Sequence, residues 1–305
     1  MSASVDAMAQ AIALEHRATV GLPLSDASPA QYHHVEHVYR AAKQAARLLG
    51  FIEADAECVA LAWRARTERT GEFDAGTWPD APNDFGLAPH PRTDAFAVCP
   101  KSLGLYAVLP DAAWVGRMAQ AGVPTLQLRF KSTDAAAVQR EVDIAVDAVR
   151  GTGALLFIND HWQAAIRAGA YGVHLGQEDI DDADLSAIRR EGLRLGLSSH
   201  GYAEMLRVDR LNPSYIAMGA VYPTNLKVMP TVPQGPGRLA AYARLMHDHA
   251  LVAIGGIDGA RLPEVLASGV GSVAVVRALV AAPQPEAVAA KWQALIKAAP
   301  AAKAV

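Results

Sequence analysis

A chain of 305 residues, 51% hydrophobic and 19% charged, can bury one large core, either as a domain with an appendage or as two modest domains. Its formal charge of −3 gives no bulk attraction to nucleic acid or to an anionic membrane, so any phosphate chemistry must be local. Cys58 and Cys99 have no metal spacing and cannot make a disulfide scaffold. No apolar run nears the roughly 20 residues of a membrane span, and MSASVDAMAQAIALEHR lacks a basic-then-apolar leader, so a cytoplasmic protein is expected.

Composition changes near residue 100. Before it, 30–49 and 55–66 read as two amphipathic helices joined around Gly50, and 71–91, rich in Asp, Pro and Gly, reads as a linker or a strap across the main domain. This portion shows no phosphate loop, nucleotide fingerprint or paired catalytic residues. Residues 1–100 are therefore expected to form a helical accessory or dimerisation element, which leaves a homo-oligomer open. From Leu103 onward, short apolar runs alternate with Ala-rich helical stretches. The runs are 103–109, 125–130, 154–159, 172–176, 194–199, 215–221, 251–256 and 272–278. About eight strand–helix units in roughly 200 residues predict a (β/α)8 TIM barrel over 101–305, with its active site in the loops after the strands.

The second run, TLQLRF, is the most informative. Alternation turns Leu126, Leu128 and Phe130 toward the helix layer, and Gln127, Arg129 and Lys131 toward the barrel mouth. Two cations and an amide there need an anionic ligand or internal ion pairs, and both readings stay open. The third run ends in Asn159-Asp160 and the fourth leads into Gly176-Gln177-Glu178-Asp179, which brings two carboxylates to one end of adjacent strands. Magnesium prefers one or two protein carboxylates with substrate phosphate oxygens completing its shell. The competing readings are a helix cap for Asp160, in Asp160-His161-Trp162-Gln163, and a solvated helix start for Asp179, with Asp181, Asp182 and Asp184.

The fifth run ends in Ser198-Ser199-His200. Ser198 shares a face with His200 and can donate a hydrogen bond into the mouth, while Ser199 reads as a cap. His174, on the inner face of the fourth run, reads as a satisfied core histidine. The segment Tyr222-Pro223-Thr224-Asn225-Leu226-Lys227 suits an anion lid. The last two runs lead to Gly255-Gly256 and Val276-Arg277, where exposed amides form the recurring phosphate site of this fold.

Together, QLRFK (127–131), IND (158–160), GVHLGQED (172–179), GLSSH (196–200), PTNLK (223–227), AIGGI (253–257) and GVGSVAVV (269–276) resemble the thiamine-phosphate synthase family. The resemblance spans about residues 101–298, with every segment in order, and leaves out 1–100. It implies a transferase of thiamine biosynthesis that joins 4-amino-2-methyl-5-hydroxymethylpyrimidine diphosphate to a thiazole phosphate, giving thiamine monophosphate and pyrophosphate. It implies Mg²⁺ on Asp160 and Asp179. Gln127, Leu128, Arg129, Phe130, Lys131, Asn159, Ser198 and Lys227 would hold the pyrimidine diphosphate, with Lys131, Ser198 and Lys227 as the catalytic candidates. Thr224, Asn225, Leu226, Gly256, Val276 and Arg277 would hold the thiazole phosphate.

Three positions depart from the family pattern. His161 stands where another acidic residue is frequent, Leu226 where many members have a second Thr, and Arg277 where many have Ser. The implied chemistry is departure of pyrophosphate from a pyrimidine methylene, leaving a resonance-stabilised cation for the thiazole nitrogen to capture. It needs charge neutralisation and alignment rather than a protein nucleophile. Two competing readings are a thiazole tautomerase on the same barrel, which needs neither the cation cluster nor paired carboxylates, and a non-catalytic thiamine-phosphate-binding regulatory protein.

Overall fold

The computed structural model describes residues 4–23, 30–224 and 231–299. Three helices precede the barrel: α1 (Val5–Val20), α2 (His37–Leu48) and α3 (Glu53–Thr70). The sequence reading contained only the last two, and α1 is an addition. Ser4 caps it by accepting from the Ala7 amide, and Met8, Ala9, Ile12, Ala13 and Val20 bury one face. A 3-10 turn, Pro82–Phe85, follows α3.

Eight parallel strands then close into a barrel: β1 (Gly104–Leu109), β2 (Thr125–Leu128), β3 (Leu155–Asn159), β4 (Gly172–Leu175), β5 (Arg194–Ser199), β6 (Tyr215–Met218), β7 (Leu251–Ile254) and β8 (Ser272–Val275). Each strand is followed by a helix: α4 (Ala112–Gln120), α5 (Ala135–Val149), α6 (Trp162–Ala168), α7 (Leu185–Arg190), α8 (Tyr202–Asp209), α9 (Gly235–Leu245), α10 (Leu262–Ala267), and finally α11 (Arg277–Val280) with α12 (Pro285–Ala298). The expected (β/α)8 barrel is present. Several strands stop earlier than their apolar runs. β2 ends at Leu128, because the Arg129 amide makes one last bond to the Leu109 carbonyl (2.8 Å) before the chain opens into the mouth.

Two apolar layers result from the alternation. Outward side chains such as Leu105, Leu126, Leu128 and Leu197 pack under the helices, and inward ones such as Tyr106, Val108, Phe157, Tyr215 and Val252 fill the barrel. Two strand glycines make room for the rings inside. A Cβ on Gly196 would lie 2.1 Å from the Tyr215 ring, and one on Gly172 would lie 2.6 Å from Phe157.

The N-terminal helices join the outer layer, since their buried residues belong to the same apolar cluster as the outward strand side chains. Arg238 of α9, 2% exposed, donates to the carbonyls of Val20 (2.9 Å) and Leu49 (2.8 Å), and its guanidinium lies 3.6 Å from the centre of the Phe51 ring. The stretch after α3 then runs along α8 toward the N-terminal ends of the strands. Trp78 donates to the Tyr202 hydroxyl (2.9 Å), Phe85 stacks on the Tyr202 ring, and the Phe96 amide bonds to the Asn212 carbonyl (3.0 Å). Ser102 finally donates to the Gly271 carbonyl at 2.6 Å. Among the described residues, no helix is long and apolar enough to cross a membrane.

Candidate active site

Parallel register sets the ends of β2, β3 and β4 side by side, pairing Gln127 with Phe157 and Asn159 with His174. Gln127 is 5% exposed, and its Nε2 donates to Asn159 Oδ1 at 2.6 Å. Past the strand end, Arg129 is half-buried and its charge acts on Asp160, while Lys131 is exposed at the rim. Leu128 and Phe130 face the helix layer, as the alternation predicts. Both belong to the outer apolar layer, and the Phe130 carbonyl accepts from His161 Nε2 at 3.0 Å. Only their backbone is left to a ligand in the mouth.

The cap reading of Asp160 is also overturned. Helix α6 starts at Trp162 with His161 in the capping position and no side-chain cap bond. Asp160 instead adopts a left-handed backbone (φ 61°), with its amide bonded to the His174 carbonyl at 3.0 Å. Its carboxyl comes within interaction range of Asp179. Partial desolvation at the rim, and then the charge of Asp179, raise its pKa, partly offset by His161 and Arg129. Asp179 is tethered by the Gly176 amide, which donates to Oδ2 at 3.0 Å. Two of its acidic neighbours are occupied elsewhere: Asp184 caps α7 through the Ala187 amide (2.9 Å), and Asp181 pairs with Arg207 (2.7 Å). Two facing carboxylates, one of which disfavours the charge of the other, are suited to a divalent cation.

Ser198, at the mouth end of β5, is joined to the barrel interior by a chain of hydrogen bonds. Its Oγ lies 2.9 Å from His174 Nε2, His174 Nδ1 lies 2.8 Å from the Tyr215 hydroxyl, and that hydroxyl lies 2.7 Å from the Tyr106 hydroxyl. Burial pushes both phenols above their ordinary pKa, so each keeps its proton. Among the described residues Tyr106 bonds only to Tyr215 through its hydroxyl, so one direction leaves no buried proton without an acceptor. Tyr106 donates to Tyr215, Tyr215 to His174 Nδ1, and His174 Nε2–H to Ser198. The Ser198 proton then points outward as a free donor. His174 is a satisfied histidine, as expected, but one of its partners is a mouth residue.

The next residues differ from expectation. Ser199 does not cap α8; its hydroxyl donates to the Ala217 carbonyl at 3.1 Å. His200 lies past the strand and bonds through Nδ1 to Glu204 at 2.6 Å. The N-cap of α8 is Gly201, which has no side chain to offer, and the cap comes from α3: Asp55 Oδ1 accepts from the Ala203 amide at 2.9 Å. A Cβ on Gly201 would meet that carboxylate at 2.2 Å. Burial raises Asp55 to about 6, against the opposing effects of its backbone bond and Arg238. Sequence reasoning missed Asp55, whose signal is the bare glycine at the cap. It also missed Tyr106 and Tyr215, inward tyrosines that need an internal partner.

A second arc lies at the ends of β6 to β8. Gly255 (φ 102°) and Gly256 (φ 64°) bring β7 against the loop after β6, where the Tyr222 amide bonds to the Gly255 carbonyl at 3.0 Å. A Cβ on Gly256 would sit 2.5 Å from the Pro223 carbonyl oxygen, so this approach needs glycine. Thr224 is half-buried beside it. Helix α11 starts at Arg277 directly after β8, with Val276 in the capping position, and the Arg277 side chain is exposed. Asn225, Leu226 and Lys227 lie outside the described residues.

Residues 97–279 match the family model described as thiamine monophosphate synthase, so the N-terminal helices fall outside the match. The thiamine-phosphate synthase of Neisseria meningitidis serogroup B is 53% identical over 193 residues, covering 63% of this chain and 94% of the relative. That of Yersinia pseudotuberculosis is 49% identical over 187 residues, covering 61% and 87%. The solved structure of a thiamine phosphate pyrophosphorylase from Pyrococcus furiosus is similar with a TM-score of 0.56 at 25% identity, over 64% of this chain and 96% of that one.

Proposed function

The chain belongs to the thiamine monophosphate synthase family, and on that premise we propose that its barrel mouth joins the hydroxymethylpyrimidine diphosphate to the thiazole phosphate. The products are thiamine monophosphate and pyrophosphate, which makes the chain a transferase of thiamine biosynthesis. The observation that carries the site assignment is the facing of Asp160 and Asp179 at the ends of β3 and β4, with the charge of Arg129 acting on the same group.

The donor set fits Mg²⁺, a hard ion that takes one or two carboxylates and leaves positions for phosphate oxygens. Bound to Asp160 and Asp179, it would neutralise charge on the diphosphate leaving group. Arg129, Lys131 and Lys227 supply the rest of the positive charge, and the Gln127–Asn159 pair orients the pyrimidine diphosphate. Ser198, with its proton free to donate, stabilises the oxygen that departs with the electrons of the broken C–O bond. The thiazole nitrogen then gives its electron pair to the exposed methylene. No side chain has to attack. The close approach at Gly256 and the amino end of α11 support a cup for the thiazole phosphate, formed by Thr224, Asn225, Leu226, Gly256, Val276 and Arg277. A cytoplasmic location belongs to the same reading and is supported by two unpaired thiols held largely protonated by burial.

The test is pyrophosphate release from the two substrates, with Mg²⁺ and with a chelator. Release should need both substrates and the metal. A tautomerase would convert the thiazole alone without releasing pyrophosphate. Release that persists under chelation and in Asp160→Asn would remove the metal assignment.

A further inference from the structure

The barrel end opposite the mouth carries a second cluster of ionisable side chains. Asp209 closes α8, His249 stands just before β7, and His90 comes from the strap that crosses this end. One donor atom from each lies within 4.8 Å of the others. His249 Nε2 is 2.7 Å from Asp209 Oδ1, and His90 Nε2 is 3.9 Å from the same oxygen. The side chains of His249 and Asp209 are 4% and 5% exposed. His90 packs edge-on against the His249 ring (4.7 Å between centres), and its Nε2 is buried without a hydrogen-bond partner. A buried ring nitrogen aimed at a carboxylate, too far away to bond to it, calls for something between them.

We propose that His90, Asp209 and His249 form a site for a zinc-class divalent ion that fastens the strap to α8 and β7. Two imidazoles and one carboxylate are a borderline nitrogen–oxygen donor set, suited to Zn²⁺ rather than Mg²⁺. Metal–donor arms of about 2.0–2.1 Å at a tetrahedral angle place neighbouring donors about 3.3 Å apart. The 2.7 Å pair must therefore open, and the 3.9 Å pair close, by about half an ångström each, which side-chain rotation supplies. His90, a quarter exposed, leaves the fourth position to water.

Arg92 is the outer support. Its Nη2 donates to both Asp209 oxygens (3.0 and 2.9 Å), and its Nη1 to the Asp209 carbonyl (2.7 Å) and to Asn212 Oδ1 (2.6 Å). This fork fixes the plane of the carboxylate and takes one Oδ1 lone pair, leaving to a metal the one that now faces His249, as outer-shell partners of metal ligands do. The guanidinium charge opposes the ion, so affinity is moderate. The site lies at the far end of the strands from Asp160 and Asp179, so its occupancy can be read independently of the reaction.

The test uses the full chain, stripped with a chelator and held in saturating Mg²⁺ to fill the mouth. Co²⁺ should bind as one equivalent with the visible bands of a four-coordinate site, be displaced by one Zn²⁺, and Zn²⁺ should raise the melting temperature. His90→Gln, on the strap, should weaken Co²⁺ binding at least about 10-fold, the equivalent of losing about 1.4 kcal/mol. His249→Gln should abolish it, while Asp160→Asn should leave it intact. No Co²⁺ or Zn²⁺ uptake by the wild-type chain, or loss of the Co²⁺ spectrum in Asp160→Asn but not in His90→Gln, overturns the proposal. Both outcomes can be read even if the buried His249 variant fails to fold.

Discussion

Replacing Tyr215 by Phe removes a single oxygen from the middle of the buried chain that ends at Ser198. The Tyr106 hydroxyl, 1% exposed, loses its acceptor, and His174 Nδ1 loses its donor. A buried hydroxyl left unpaired costs about 1–3 kcal/mol and the lost bond to His174 about 0.5–1.5 kcal/mol, so the two together predict a loss of about 1.5–4.5 kcal/mol and a melting temperature lower by roughly 3–15 °C. The effect on turnover is separate. Without the Tyr215 proton, His174 loses the hydrogen bond that favours the tautomer donating to Ser198, and the serine can donate to Nε2 instead of to the departing diphosphate. One charge-assisted hydrogen bond is worth about 1.5–3 kcal/mol, which lowers kcat by about 10- to 100-fold. Tyr106→Phe is the control. It removes one hydrogen bond of about 0.5–1.5 kcal/mol but leaves Tyr215 donating to His174, so kcat should hold. The assay is steady-state pyrophosphate release, with Ser198→Ala and Ser198→Ala/Tyr215→Phe in the same series. If the chain acts through Ser198, the double variant is no slower than Ser198→Ala alone. Additive losses in kcat, or equal losses in the two tyrosine variants, would refute the reasoning.

Other expectations concern charge and the N-terminal helices. Asp160→Asn should abolish most turnover yet raise the melting temperature of metal-free protein at pH 7. The folded carboxyl has a raised pKa, so its ionisation destabilises the fold as pH climbs past the ordinary carboxylate range, and Asn removes that charge. A lower melting temperature at pH 7 would contradict the repulsion. Asp55 has a folded pKa of about 6 against 3.8, so its ionisation costs about 3 kcal/mol, a cost absent below about pH 4 and fully developed above about pH 7. Asp55→Asn keeps an acceptor for the Ala203 amide, and urea unfolding should show it losing less stability between pH 4.5 and 7.5 than the wild type. Parallel losses in the two proteins would remove Asp55 as the cause. A chain starting at Asp94 keeps the mouth residues but strips Arg238 of two carbonyl partners and α8 of its cap. It should melt well below the full chain while retaining measurable pyrophosphate release, and a folded truncate with none would mean that the helices complete the site.

The barrel is readable because apolar runs at even spacing report strand sides and order, and a parallel barrel sets consecutive strand ends next to one another. That is why Asp160 and Asp179 could be paired from the sequence. Alternation says which way a side chain faces but not where a ladder stops, so TLQLRF reads two residues longer than β2. Local capping motifs failed at two positions because remote partners decide them. Asp160 turns left-handed between β3 and α6, and the cap of α8 arrives from a residue 148 positions away. The hydrogen-bonded chain behind Ser198 was out of reach for a related reason. Tyr106, His174 and Tyr215 all face inward by pattern, but which of them touch depends on the stagger of three strands.

The clearance at Gly196 has a consequence for how such a chain can change over generations. The Tyr215 ring occupies the space that any side chain at 196 would claim, with its hydroxyl 2.4 Å from the would-be Cβ. What can stand at 196 therefore depends on what stands at 215. A substitution as small as alanine at 196 has to be preceded by loss of the tyrosine, and the first step of that path is the one expected to weaken the serine at the mouth. Drift at 196 is blocked by the Tyr215 ring, and drift at 215 by the hydrogen-bonded chain that runs through His174 to Ser198.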